Sequence, residues 1–330
     1  MTKIESAREE YVRWCAAIGI DSVDRLNEVL LSGKGVELIN LSEARQERKY
    51  AETADQIFWK KNQCRIVMMS GPSSSGKTSS SLRIAQQCRV LGLTPKVIEL
   101  DNYFVDRERT PKDENGEYDY EHLNAMDIEL LGQHLNALLA GEAVEIPKFD
   151  FKAGKQVFNG NFMRLEENDM LFMEGIHALN PALTPSVDTS RFFKIYISAL
   201  TSLPGGEKVH NSTTDKRLMR RIVRDNRTRG ISPEDTIMRW PSVRRGETRN
   251  IFPYEENADV VFNSSTLYDI PLLKYYVEPL LYEIAESSPA HEKAAQILDL
   301  LGNVVALKPQ EIAAIPPTSI MREFIGGQRL

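Results

Sequence analysis

Cysteine is scarce in this chain of 330 residues, and that scarcity excludes two kinds of protein. Cys15, Cys64 and Cys88 lie far apart and form no C-x-x-C pair, so they build neither a disulfide framework nor a thiolate zinc site. They read as reduced thiols of a cytoplasmic protein. The five histidines, His122, His134, His177, His210 and His291, show no metal-ligand spacing. No apolar run reaches 18 residues, and the opening Met1-Thr2-Lys3-Ile4-Glu5 has no apolar signal core. A membrane span and a secretory leader are therefore not expected. An excess of positive charge is missing as well. A net charge of −6 argues against general nucleic-acid binding. Internal repeats and low-complexity segments are absent too.

The charge is unevenly spread. Residues 207–250 hold 12 Lys and Arg against 6 Asp and Glu, which leaves the remainder at a net −12. A basic segment in an acidic body suits a compact, multiply charged anion better than a long polymer.

The strongest signal is Gly71-Pro72-Ser73-Ser74-Ser75-Gly76-Lys77-Thr78, which fits G-x-x-x-x-G-K-[ST]. The apolar run Ile66-Val67-Met68-Met69 precedes it, and a helical pattern with Leu82, Ala85, Cys88 and Leu91 on one face follows. A glycine turn with a stray lysine would share the letters but not this strand–loop–helix setting. The glycines let backbone N–H groups wrap a polyphosphate, and the helix N-terminus adds partial positive charge. The candidate nucleotide-binding residues are Gly71, Ser73, Ser74, Ser75, Gly76, Lys77, Thr78 and Ser79. Lys77 is expected to reach the β- and γ-phosphates of ATP, and Thr78 to ligate Mg²⁺.

Further apolar strands are predicted at residues 95–100, 170–173, 192–197 and 260–262, with helical patterns between them. This spacing predicts an α/β P-loop fold: a parallel five-stranded sheet covered by helices on both faces. Ligands then gather at the carboxyl ends of the strands, where Ser70, Asp101 and Glu174 fall. Three regions are expected: a helical arm at 1–60, a P-loop domain at 61–270 with a basic lid at about 207–250, and a helical extension at 271–330. The arm breaks near Gly19 and residues 32–35, and Ser42 is read as the cap of a helix running to about Lys60. The arm carries no chemical motif and reads as a packing or dimerising element, which leaves a homo-oligomer open. Residues 106–127 are acidic and turn-rich, with Asn115-Gly116 as a turn signal. A helix is read from about Met126 to Ala140.

Asp101 follows the second strand, where it could accept a proton from an attacking hydroxyl. Glu174 ends the third strand, a place suited to holding Mg²⁺ directly or through water. In the helix predicted over 215–229, Leu218, Met219, Ile222 and Val223 cover one face, and Arg217, Arg220, Arg221 and Arg224 the other. Four guanidiniums in one arc repel unless an anion or carboxylates sit among them. The group reads as a lid that brings arginines, Arg221 and Arg224 among them, to a phosphoryl group.

Together these residues resemble the uridine kinase/phosphoribulokinase family of P-loop kinases. The matching pieces are residues 71–78, Leu100-Asp101-Asn102-Tyr103-Phe104, Tyr118-Asp119-Tyr120-Glu121-His122, Ile146-Pro147-Lys148-Phe149-Asp150-Phe151, Met173-Glu174-Gly175-Ile176 and residues 217–230. They cover about residues 62–265 in the family's order. Residues 20–60 and 319–327 are also similar to a bacterial uridine kinase-like branch, whose longer members carry a part resembling threonyl-tRNA synthetase domains. The resemblance implies Mg-ATP-dependent transfer of a γ-phosphoryl group to a small-molecule hydroxyl, the 5′-hydroxyl of uridine or cytidine by family. It makes Asp101 the general base, Glu174 the metal-site carboxylate, and Tyr103, Tyr120 and Phe149 the walls of an acceptor pocket. It also implies that Glu121 holds ribose hydroxyls beside His122, and that Arg221, Arg224 and Arg229 are lid arginines.

The chain departs from the family pattern at Glu121-His122-Leu123, where Asp-His-Pro is usual. It departs again at Gly154, Ile231 and Arg239, where uridine–cytidine kinases read the base. His177, after Glu174-Gly175-Ile176, is similar to the phosphoribulokinase branch. Two alternatives stay open: a sugar or other non-pyrimidine alcohol as acceptor, and an ATP-gated regulatory or RNA-linked module.

Overall fold

The computed structural model describes residues 1–112, 116–200 and 213–330. Asn115 of the predicted turn, His210 and the first residues of the predicted lid lie outside them.

Five strands form one parallel sheet: β1 (Ile66–Ser70), β2 (Thr94–Glu99), β3 (Asp169–Glu174), β4 (Phe192–Ser198) and β5 (Val260–Asn263). Their spatial order is β2-β3-β1-β4-β5, so each parallel neighbour is reached by a crossover. Alternation along β1 divides the core. Ile66 and Met68 face a cluster with Leu131 and Leu135 of α5 (Ile128–Leu139). Val67 and Met69 face Ile84, Ala85 and Cys88 of α4 (Lys77–Val90), with Tyr50, Ala54 and Ile57 of α3 (Gly35–Trp59). Each fully buried Val, Leu, Ile or Met among them contributes about 1.5–3 kcal/mol relative to exposure. The α5 helix starts where Asp127 accepts a hydrogen bond from the Leu130 N–H at 3.1 Å.

The two ends of the chain share a third apolar core. It joins α1 (Lys3–Ala17) and α2 (Val23–Leu31) to α6 (Thr213–Arg229), α7 (Pro233–Asn250), α8 (Asp269–Tyr282) and α9 (His291–Gly302). The short helices α10 (Pro309–Ala313) and α11 (Arg322–Ile325) complete it through Ile312 and Phe324. The α3 helix spans both regions: Leu38 and Ile39 lie in this core, Ala54 and Ile57 against the sheet.

Two local expectations are corrected. Ser42 is no cap, because α3 begins seven residues earlier at Gly35; its buried hydroxyl instead accepts from the Leu267 N–H at 3.0 Å. The four arginines of α6 share one helix face, but carboxylates sit among them and they do not all serve one anion. Arg217 and Arg220 are buried, 1% and 0% exposed, and paired with Glu247 and Asp269. Lys216, also buried, lies 3.1 Å from Asp269. The amphipathic pattern separates apolar from charged residues. It cannot show that carboxylates 30 to 50 residues away will meet the charged ones in the interior.

Candidate active site

The loop between β1 and α4 is shaped by close approach and by left-handed backbone. A Cβ at Gly71 would lie 2.0 Å from the Ile197 carbonyl oxygen, so only glycine allows β1 to pass β4 there. Gly76 has φ +82°, and Ser74, unusually for a non-glycine residue, has φ +57°. The N–H groups of Ser74, Gly76, Lys77 and Thr78 meet no acceptor among the described residues. The Ser74 and Ser75 hydroxyls are buried and likewise unpartnered there. A concave loop of unused donors at a helix N-terminus fits a polyphosphate. Lys77 Nζ donates to the Gly71 and Pro72 carbonyls at 2.8 and 3.1 Å, folded back over the loop. Burial lowers its pKa, while the charges of Glu174, Glu323 and Glu247 oppose that shift.

The carboxylates stand at the adjacent ends of β2 and β3, where Glu99 is in register with Glu174. Glu174 Oε1 accepts from the Thr78 hydroxyl at 2.8 Å, while Oε2 is buried and has no partner among the described residues. Burial raises the Glu174 pKa, against the pull of Lys77 and the Thr78 hydroxyl. A hydroxyl, a carboxylate and one unused buried oxygen are the hard donors that Mg²⁺ takes, alongside water and phosphate. Asp101 lies two residues past β2 in a 3-10 turn and makes no side-chain hydrogen bond or ion pair among the described residues. The surrounding protein raises its pKa, with Lys77 opposing and Glu99 reinforcing the rise.

On the far side of the loop, Arg221 donates to the Ser73 hydroxyl at 2.8 Å. Arg221, Arg224 and Arg229 all pair with buried Asp225, at 3.2, 2.8 and 3.4 Å. That aspartate was not a sequence candidate, although its i,i+4 spacing from Arg221 and its place beside Arg224 were readable. Glu247 was also missed. It accepts from the Ser73 N–H at 2.9 Å and from both Nη atoms of Arg217, and so ties the loop to α6 and α7. No local signal could have joined residues 73, 217 and 247.

The aromatic candidates lie mostly in the core. Tyr103 and Phe149 are 0% and 3% exposed, and the Tyr103 hydroxyl sits 3.0 Å from His134 Nδ1. Phe104 is their hub, meeting Tyr120, Phe149 and Phe151 edge-on at 5.6, 5.5 and 6.2 Å. Tyr120 stays half-buried, and its hydroxyl accepts from Arg107 Nε at 3.2 Å. Glu121 packs its carboxylate against Gly246 of α7. Its pKa is raised to about 7, first by burial and then by Glu247 and Asp119. His122 Nδ1 accepts from the Asn124 N–H at 3.0 Å, which caps a local turn. His177 is buried, and burial, with His122 adding to it, lowers its pKa to about 4, so it is neutral at neutral pH.

A parallel sheet with a phosphate-type loop after β1, facing carboxylates at the neighbouring strand ends, defines a P-loop α/β kinase fold. The model of the phosphoribulokinase/uridine kinase family matches residues 66–271, and the chain belongs to that family. It is 31% identical over 198 residues to a uridine kinase of Macrococcus caseolyticus, covering 59% of this chain and 86% of that one. A uridine kinase of Halobacterium salinarum is 29% identical over 196 residues, covering 59% of this chain and 78% of its own. A solved structure of a possible uridine kinase from Bacillus stearothermophilus superposes with a TM-score of 0.43 at 19% identity, covering 67% of this chain and all (100%) of that one. Among the described residues, no helix is long and apolar enough to cross a membrane.

Proposed function

We propose that this family member transfers the γ-phosphoryl group of ATP to the 5′-hydroxyl of a nucleoside. The observation that carries the reading is the facing pair: a loop of unused N–H donors on one side, and the free carboxylate of Asp101 beside Glu174 on the other. The loop from Gly71 to Thr78, with Ser79, would hold the phosphates, and Thr78 and Glu174 would hold Mg²⁺. That ion, when bound, offsets phosphate charge. Lys77 lies half-buried at the loop and would orient the transferred group. Asp101 takes the proton from the acceptor hydroxyl, and its raised pKa makes it a stronger base. Arg221 reaches the loop from α6 at the Ser73 hydroxyl, and with Arg224, whose charge acts on Lys77, would steady charge on the transferred phosphoryl. Tyr120 and Glu121 would receive the acceptor, and Arg229, paired with Asp225 on α6, would be a further lid contact to it.

A non-pyrimidine alcohol is the second reading, and one observation favours it. At Gly154, where the family's pyrimidine kinases have a histidine, a Cβ would lie 2.6 Å from the Arg107 guanidinium. Arg107 fills that place, donating to Tyr120 and to the Phe151 carbonyl. A site lacking its expected polar partners discriminates less well, whereas one that keeps them can reject an analogue by about 10⁴-fold. ADP release should therefore be measured with uridine, cytidine, purine nucleosides and free sugars at matched concentrations, in the wild type and in Lys77→Ala. Acceptor-dependent release that disappears in folded Lys77→Ala supports the kinase reading, and the preferred acceptor decides between the two classes. Near-normal turnover in Lys77→Ala would sink both readings. No turnover with any acceptor would shift the weight to an ATP-gated regulatory role.

A further inference from the structure

The segment 319–328 belongs to no part of the chemistry above, yet it lies on the phosphate loop. Ile320 fills the space beside Gly76, where a Cβ would lie 2.3 Å from its Cδ1. Three residues on, the Glu323 carboxylate accepts from both the N–H and the hydroxyl of Ser79, the N–H at 3.4 Å. Gln328 Nε2 donates to the same hydroxyl at 2.7 Å. Ser79 lies in the first turn of α4, where N–H groups have no intrahelical acceptor and attract anions. Glu323 makes no ion pair among the described residues, although its charge is felt by both Lys77 and Glu174. An unpaired carboxylate thus holds a donor of the anion-binding turn, beside the unused donors of the loop.

We propose that Glu323 is an intramolecular competitor for the phosphate cradle: it holds Ser79 in place of a nucleotide phosphate, and a polyphosphate binds by displacing the Glu323 carboxylate and Gln328 from Ser79. The competition is electrostatic as well as steric, since a phosphate entering beside Glu323 meets a like charge at contact distance. The segment that carries Glu323 is held at its start, where the Ser319 hydroxyl donates to Glu43 at 2.8 Å and lies 2.9 Å from the Tyr268 hydroxyl, and by the buried Ile320, Met321 and Phe324. Its far side is bound to the arginine helix. Arg227 donates to the Phe324 and Glu323 carbonyls at 3.0 and 3.3 Å, and the Arg220 guanidinium lies 5.0 Å from the Phe324 ring centre. Nucleotide arrival at Ser79 is therefore signalled to α6 through one short segment.

This inference rests on the reading of the loop as a nucleotide site, and the test separates the two. ADP and ATP affinities are measured by calorimetry, with Mg²⁺ and without acceptor, in the full-length wild type, Glu323→Gln and Glu323→Ala. Thermal melts check that the variants fold. Glu323→Gln keeps an oxygen for Ser79 but loses the charge, and should bind about tenfold more tightly, the scale of one charged hydrogen bond. Glu323→Ala should bind at least as tightly. In the wild type, nucleotide should speed amide hydrogen exchange over residues 326–328, which lose the Gln328 contact with Ser79. Weaker binding by both folded variants, or exchange that slows with nucleotide, would make Glu323 a helix cap or a nucleotide-holding residue and overturn the proposal. No binding by the wild type or either variant would overturn the nucleotide reading and this inference together.

Discussion

Glu247→Gln is the substitution that most directly tests how the loop is held. Glu247 and Arg217 are both 1% exposed, and Glu247 receives both guanidinium Nη atoms, the Ser73 N–H at 2.9 Å and Arg244 at 2.6 Å. Burial alone would raise its pKa, but Arg217 and Arg244 outweigh that and hold it below the ordinary carboxylate value. Its contribution is thus intact at neutral pH and is lost only as the solution is acidified through and below the usual carboxylate range. Glutamine keeps the shape and an acceptor for Ser73 but leaves the Arg217 charge buried with no counter-charge. Breaking a buried pair on one side costs about 3–5 kcal/mol. That is a large part of the roughly 5–15 kcal/mol that separates folded from unfolded chains. Urea unfolding of the two proteins at neutral pH should show this loss as a lower midpoint with little change in slope. ATP affinity should fall as well, because Ser73 loses its charged anchor to α7. A variant within about 1 kcal/mol of the wild type, with unchanged ATP affinity, would refute the argument that this pair holds the loop.

Asp101→Asn should retain ATP binding while acceptor-dependent turnover falls by about 10²–10⁴-fold, the usual worth of a general base. Lost ATP affinity with a high residual rate would instead make Asp101 a metal or structural residue. Glu121 carries a pH signature. With its pKa raised to about 7, the folded protein holds a proton over the window from the ordinary glutamate value of 4.5 up to about 7 that the unfolded chain releases. Its effect on stability is most favourable below that window and declines as pH rises through it. The carboxylate that can accept acceptor hydroxyls forms only as pH passes about 7, so acceptor KM should fall by about tenfold between pH 6 and 8 while ATP KM stays level. Glu121→Gln should flatten that profile; an unchanged profile would remove Glu121 from the acceptor site.

The phosphate loop, the five strands and the helices that cover them could be read from the chain because their signals are local. A glycine pattern, an apolar run or a 3.6-residue period lies within one stretch of backbone, and propensity and burial act on it together. The carboxylates of Asp101 and Glu174 were legible for a related reason, since the end of a strand in a parallel sheet fixes where a residue stands. The fates of the arginines on α6 were not legible. Arg217, Arg220 and Arg221 look alike in a helical period, but Arg217 pairs with Glu247 and donates to the Ser73 carbonyl at 3.0 Å, Arg220 pairs with Asp269, and Arg221 donates to the Ser73 hydroxyl. The same holds for Tyr103, whose ring is closed into the core by α5 and whose hydroxyl meets His134. Glu323 stands 244 residues beyond Ser79 and touches it only because the two ends of the chain fold over α6 into one core. The sign of the charge a side chain can carry is set by its own chemistry. Which charge answers it is settled only when distant segments pack, because burial makes an unpaired ion too costly and chain connectivity does not say which partner lies near.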